Sequence, residues 1–427
     1  MLSELFIIFF VFFSSSFPCA ISHIQASFGI SGGFSNENGK VKGGFNFNAS
    51  MVFGNTRLEH SFKALSAWKK SIIHDPFHMT ANWDGPDVCS YNGVFCAKAL
   101  DDPNIDVVGG LDLTGGEIAG ELPKELGMLN DTALIHINSN KFTGNLPSSL
   151  TGLSMLREVD LSNNNFTGPF PMDLLNLPGL KYLDLRYNNF HGEIPKEVFE
   201  KDLDALFLND NQFSGSLPKN IGKSKVSVAV LANNELSGCI PSSIGEMSST
   251  LNEFILSNNK ISGCLPEEIG SLREATVFDV SFNSLIGSLP ESMSRLSNIE
   301  EIRISNNNLT GNVTSGLCEL PKLWNFSFSD NYFSDEDSKC DSSEKTYDDR
   351  NNCIPSRPEQ KSEDECSEAS KQPVDCAKMC CPGKFHSGRQ RSGDFKWSFS
   401  GNVTIGHDNS DRSNKLEREE SSTGVWY

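Results

Sequence analysis

The chain is short of positive charge. Its 427 residues carry 36 Lys and Arg against 55 Asp and Glu, a formal net charge of −19. Such a surface repels phosphate backbones, which excludes nucleic-acid binding through a basic face. Proline is also sparse at 19 residues, so no long Pro-rich tract exists. No apolar stretch reaches the ~18 residues that a membrane-spanning helix needs. Histidine is rare at 8 copies, and they are scattered. No G-x-S-x-G elbow, H-E-x-x-H pair or phosphate loop occurs, so nothing supports catalysis. No cofactor is expected. Tyr is scarce at 6, whereas Phe reaches 30.

What is present begins with an apolar run of nine, Leu5 to Phe13. It is too short for a span and matches the core of a secretory signal peptide, assigned to residues 1–26. Seven N-x-S/T sequons agree with that route: Asn48, Asn130, Asn165, Asn308, Asn312, Asn325 and Asn402. The 12 cysteines then point to disulfides.

A repeat dominates the remainder. Asn140-Lys141-Phe142-Thr143-Gly144-Asn145-Leu146-Pro147 returns as Asn164, Phe166, Gly168 and Pro171. Asn188, Asn211, Asn234, Asn259, Asn283 and Asn307 open further copies. The glycines at 120, 144, 168, 192, 215, 238, 263, 287 and 311 recur every 23 to 25 residues. An L-x-x-L-x-L-x-x pattern precedes each Asn. This is the leucine-rich repeat signature. One such unit cannot bury its apolar face alone, so stacked coils must share a core. The x-L-x-L-x stretch alternates as a short strand with Leu inward. Each Asn is expected to turn inward and satisfy backbone groups at the bend. The G-x-[IL]-P form resembles the plant-specific repeat class. The expected fold is therefore an α/β solenoid, a right-handed superhelix of about ten coils.

The ends need caps. Leu58, Phe62, Leu65, Trp68 and Ile72 share one helical face, and Asp75-Pro76 would end that helix. Trp83 to Cys96 resembles the N-terminal cap of plant repeat proteins, which implies a Cys89–Cys96 bond. Cys318 and Cys340 flank the last coil as a C-cap pair. Cys239 and Cys264 occupy one slot of adjacent coils, about 5 Å apart, and are expected to pair.

Several stretches are more specific. Asp87-Val88-Cys89-Ser90-Tyr91-Asn92-Gly93-Val94-Phe95-Cys96 lies in the cap and Leu183-Asp184-Leu185-Arg186-Tyr187-Asn188 in the repeats. Asp349-Arg350-Asn351-Asn352-Cys353-Ile354-Pro355 and Pro373-Val374-Asp375-Cys376 follow. Together, over residues 57–381, they resemble the leucine-rich repeat extensins of plant cell walls. That resemblance implies a repeat domain that binds small basic peptides, the rapid alkalinization factors, and a Cys-rich hinge. The family's Ser-Pro-rich extensin tail has no counterpart here, so the chain is expected to be an extensin-less relative. The expected organisation is a 27–55 Gly/Asn-rich disordered segment and a 56–106 cap. Repeats follow over 107–334, an acidic Cys-rich hinge over 335–381 and a disordered tail over 382–427.

The outward strand positions supply the candidate site. They are His136, Glu158, Asp160, Tyr182, Asp184, Arg186, Tyr187, Phe207, Asp210, Glu253, Asp279 and Phe282. Acids interleaved with aromatics suit a basic peptide with apolar anchors. A glycan on Asn325 would close the C-terminal end of that face. Loss of Cys19 with the signal peptide leaves an odd number of cysteines, which suggests a disulfide-linked homodimer, as the resemblance also implies. Two alternatives stand beside the peptide-binding reading. One is an inhibitor of wall-degrading enzymes such as polygalacturonase, whose inhibitors share this repeat class. The other is a structural wall protein. Secretion to the cell wall or apoplast is expected for all three. No metal site is expected.

Overall fold

A computed structural model describes residues 51–340, 345–355, 357–370 and 374–376. The expected signal peptide, most of the 27–55 segment, the 382–427 tail and the sequons Asn48 and Asn402 lie outside the described residues. The fold is the plant-type leucine-rich repeat solenoid.

Asn55 caps the first helix, Thr56–Ser71, by accepting from the Leu58 amide at 2.9 Å. Leu58, Ala64, Leu65 and Trp68 are buried from it. The helix stops before Asp75-Pro76. Ile72–His74 leaves it as a strand that pairs antiparallel with Ala119–Glu121, where one ladder of the solenoid starts. Trp68 meets Trp83 edge-on at 5.7 Å and Phe142 at 5.8 Å, fastening the cap to the first coils.

Two sheets run along the solenoid. One has twelve strands, and all its neighbours beyond the first pair are parallel. Three-residue strands such as Glu158–Asp160 and Val228–Val230 bury only their middle residue, while Tyr182–Asp184, Val277–Asp279 and Glu301–Arg303 bury an end residue as well. The second has eleven strands. Its strands carry the aromatic of each Asn-x-Phe motif inward. Phe142, Phe166, Phe190 and Phe213 stack at 6.3, 6.4 and 6.3 Å, which accounts for part of the surplus of Phe. Pro147, Pro195, Pro241, Pro266 and Pro290 each open a short helical turn that leads to the next coil.

The recurring Asn turns inward as expected. The Asn164 Nδ2 donates to the Leu161, Ser162 and Ile137 carbonyls at 3.1, 3.1 and 2.9 Å, and its Oδ1 accepts from the Phe142 amide at 3.0 Å. Equivalent bonds run to Asn331 and then to Asn352. The repeat geometry therefore continues past residue 334. Thr346–Asp348 adds a last parallel strand beside Asn325–Ser327.

Cys89–Cys96 and Cys318–Cys340 are bonded. The expected Cys239–Cys264 bond is absent: Cys264 pairs with Cys376, and Cys239 is disulfide-bonded elsewhere. Equivalent slots of neighbouring coils carry parallel Cα–Cβ bonds, so the two thiols lie side by side rather than facing. The hinge faces Cys264 instead. After the Cys353–Cys366 bond and the helix Glu363–Ser370, it returns along the second sheet. Its passage is close. A Cβ on Gly287 would lie 2.4 Å from the Cys376 sulfur, at a φ of +82° that side chains avoid. A Cys376→Ser chain is expected to release the 367–376 segment, beyond the Cys353–Cys366 bond, to protease while residues 51–340 stay resistant. Limited proteolysis with mass spectrometry reads this. Equal protection of the segment in both chains would contradict the tether.

Candidate functional site: the concave sheet

The twelve-stranded sheet presents the first and third residues of each strand to one face. Strand pairing sets them in two ladders. One runs Glu158, Tyr182, Ala205, Val228, Glu253, Val277 and Glu301. The other runs His136, Asp160, Asp184, Phe207, Val230, Ile255, Asp279 and Arg303. Every candidate strand residue thus lies on one continuous face.

The N-terminal part of the face is polar and already knitted together. His136 Nε2 meets Glu158 Oε1 at 3.0 Å, and this bond raises the imidazole's affinity for its proton against the opposing effect of burial. Asp160 accepts from the Ser162 amide at 2.9 Å and hydroxyl at 2.6 Å. Asp184 differs from expectation. It is fully buried, at 0% exposure, rather than offered to a ligand. Arg186 Nε reaches its Oδ2 at 2.9 Å, and the Tyr182 hydroxyl donates to the same oxygen at 3.3 Å. Burial first, then the neighbouring Asp160, pushes its carboxyl up to about 7, and Arg186 pulls the other way. Tyr182 and Phe207, expected to be exposed, are half-buried with ring centroids 5.5 Å apart, and the Arg186 guanidinium lies 4.9 Å over Phe207. These side chains pack together over Asp184.

The C-terminal part repeats the theme. Asp279 is only 5% exposed and accepts from Ser281 at 3.0 and 2.6 Å. Arg303 bonds the buried Glu301 at 2.7 Å. Burial raises the Glu253 carboxyl.

Between these polar ends lies an apolar centre of which the candidate set held only Phe207. Ala205 and Val228 in one ladder and Phe207, Val230 and Ile255 in the other are contiguous and half-buried, and Glu253 and Asp279 follow them. Their signal was present as outward apolar residues in strands whose other copies are polar. Tyr187, Asp210 and Phe282 sit at the rim, just past the strand ends, and Tyr187 and Phe282 are 53% and 56% exposed. Asn325 begins its strand on the same face, half-buried, with its amide against Glu301. Asn130, Asn165, Asn308 and Asn312 are exposed away from it.

This architecture defines a leucine-rich repeat protein of the plant ectodomain type. Residues 132–190 and 250–272 match the leucine rich repeat family, and residues 58–97 match the leucine rich repeat N-terminal domain. The ectodomain of the Arabidopsis receptor kinase HAESA, solved with an extended IDA peptide hormone, is similar. The TM-score is 0.55 at 26% identity, over 70% of this chain and 54% of that one. The plant peptide hormone receptor RGFR1, solved with RGF2, gives 0.53 at 30% identity, over 57% and 39%.

The family itself is narrower. Leucine-rich repeat extensin-like protein 7 of Arabidopsis thaliana is 63% identical over 334 residues, 78% of this chain and 77% of that protein. Pollen-specific leucine-rich repeat extensin-like protein 3 is 64% identical over 352 residues, 81% of this chain and 48% of that protein. The chain belongs to the leucine-rich repeat extensin-like family of plant cell-wall proteins, and it spans about half the length of several of these relatives.

Proposed function

We propose that the protein is a secreted, non-catalytic module of the cell wall or apoplast that binds a small basic peptide of the rapid alkalinization factor type on its concave sheet. The observation that carries this reading is the apolar centre bounded at both ends by carboxylates. Apolar contact there supplies affinity, and the acidic surround of a −19 chain steers a cationic ligand. Solved ectodomains of related fold hold peptide hormones, which supports the same reading. The recurring aspartates of neighbouring coils are engaged by the chain itself, Asp160 by Ser162 and Asp184 by Arg186. A disulfide-linked homodimer belongs to the proposal: 12 cysteines less Cys19 leave an odd number.

Titration calorimetry of the secreted, glycosylated chain against a panel of folded rapid alkalinization factor peptides tests this. At least one member is expected to bind with submicromolar affinity that weakens with added salt. No binding across the panel overturns the proposal.

A further inference from the structure

The residue after each strand's bend adopts a left-handed conformation, and its identity is uneven. Ser139, Asn163, Asp210, Asn233, Asn258, Asn306, Asp330 and Asn351 fill most of these slots, at φ between 52° and 58°. Such residues tolerate this conformation because a short polar side chain bonds locally. Here they also bond one another along the rim. Asn163 donates to Ser139 at 3.3 Å, Asn233 to Asp210 at 2.9 Å and Asn258 to Asn233 at 2.8 Å.

Two slots break the string. Tyr187 and Phe282 hold φ of +53° with bulky rings, where a non-glycine residue is an outlier. Both rings stand largely in solvent. They therefore gain little from burial, and Phe282 makes no hydrogen bond through its side chain. Strain of this kind, kept without a folding return, points to function. The two rings bracket Asp210, Asn233 and Asn258. Four coil steps separate them, about 19 Å at the parallel strand spacing. Their surroundings differ. Asp210 holds the next slot of the rim beside Tyr187, and its charge raises the Tyr187 hydroxyl's hold on its proton, so ring and charge adjoin at one end. No acid adjoins Phe282 in the rim string, where Asn258 and Asn306 flank it.

We propose that Tyr187 and Phe282 are the two ends of a rim clamp that grips an extended peptide segment along the solenoid axis. A lysine or arginine of the ligand stacks on Tyr187 beside Asp210, and an apolar side chain covers Phe282. The amides of Asn233 and Asn258 lie between, against the ligand backbone. The span corresponds to about five or six extended residues. This rests on the peptide-binding reading and adds to it the spacing and order of the ligand's anchors.

The test uses the full chain with Tyr187→Asn and Phe282→Asn, singly and together, beside Val230→Arg in the apolar centre. The probe is the tightest-binding peptide of the calorimetry panel. The asparagine variants are expected to melt at or above the wild-type temperature, because they relieve strain and complete the rim string, while the double variant binds at least tenfold more weakly. Replacing the ligand's basic residues by glutamine one at a time should single out one residue whose loss no longer matters in Tyr187→Asn. A double variant that binds like wild type, with Val230→Arg inactive, overturns the clamp and leaves concave-face binding standing. Asparagine variants that melt lower also overturn it, because the rings would then serve the fold. Failure of the wild type to bind overturns both.

Discussion

Asn234→Ala is expected to destabilise the solenoid by about 4 kcal/mol, because it strands several buried backbone groups at once. The Asn234 Oδ1 accepts from the Phe213 amide at 2.9 Å, and its Nδ2 donates to the Leu208, Leu231 and Ala232 carbonyls at 3.0, 3.2 and 3.0 Å. Alanine leaves the Phe213 amide without that acceptor in a site that water does not reach. The neighbouring Asn233 is exposed and bonds only along the rim, and glycine accepts its φ of +54° without strain, so Asn233→Gly should cost no more than about 1 kcal/mol. Paired denaturant unfolding curves read the contrast. Equal effects at the two positions would contradict the inward-bonded role of the recurring Asn.

The second large effect depends on pH. The folded-state Asp184 carboxyl is pushed up to about 7, whereas an unperturbed aspartate titrates near 3.9. Between those values the native chain holds a proton that the unfolded chain has released. Stability from this group therefore falls as pH rises from about 4 to about 7, by an amount on the order of 4 kcal/mol. His136 acts in the same sense. Its folded-state affinity for a proton is raised by Glu158, so its contribution is complete below about 6.5 and is lost as pH rises through the folded value. Asp184→Asn removes the larger dependence. It should match wild type near pH 4 and exceed its stability at pH 8. Unfolding at both pH values decides the matter, and a pH-independent gap would contradict the burial of an ionisable Asp184.

Much of this fold is legible in the sequence because the repeat states the same physics many times. A period of 23 to 25 residues, inward Leu and an Asn at each bend leave few other ways to bury the apolar stripe. The hinge is another matter. Cys376 lies 112 residues from Cys264, outside the repeating pattern, and no local rule relates them. Slot spacing favoured Cys239 as the partner because it specifies distance and not direction. The site is legible as a face but not residue by residue. Alternation marks Asp184 and Asp279 as outward. It cannot register that Tyr182, Arg186 and Phe207 close over the first, or that Ser281 ties down the second. Val228 and Val230 carry neither charge nor ring, so the pattern of acids and aromatics does not mark them, although they sit at the centre of the face.

The claim that unites these observations is that the apolar centre of the concave sheet is the contact surface for a basic peptide. The most direct measurement is the calorimetric affinity of Val230→Arg against wild type for the tightest peptide of the panel, with melting recorded on the same samples. Val230 lies between Phe207 and Ile255, so an arginine there puts a cation and a longer side chain where the ligand must sit. Loss of at least a factor of a hundred in affinity at an unchanged melting temperature is the expected result. Wild-type affinity in Val230→Arg would place the peptide elsewhere and contradict the account.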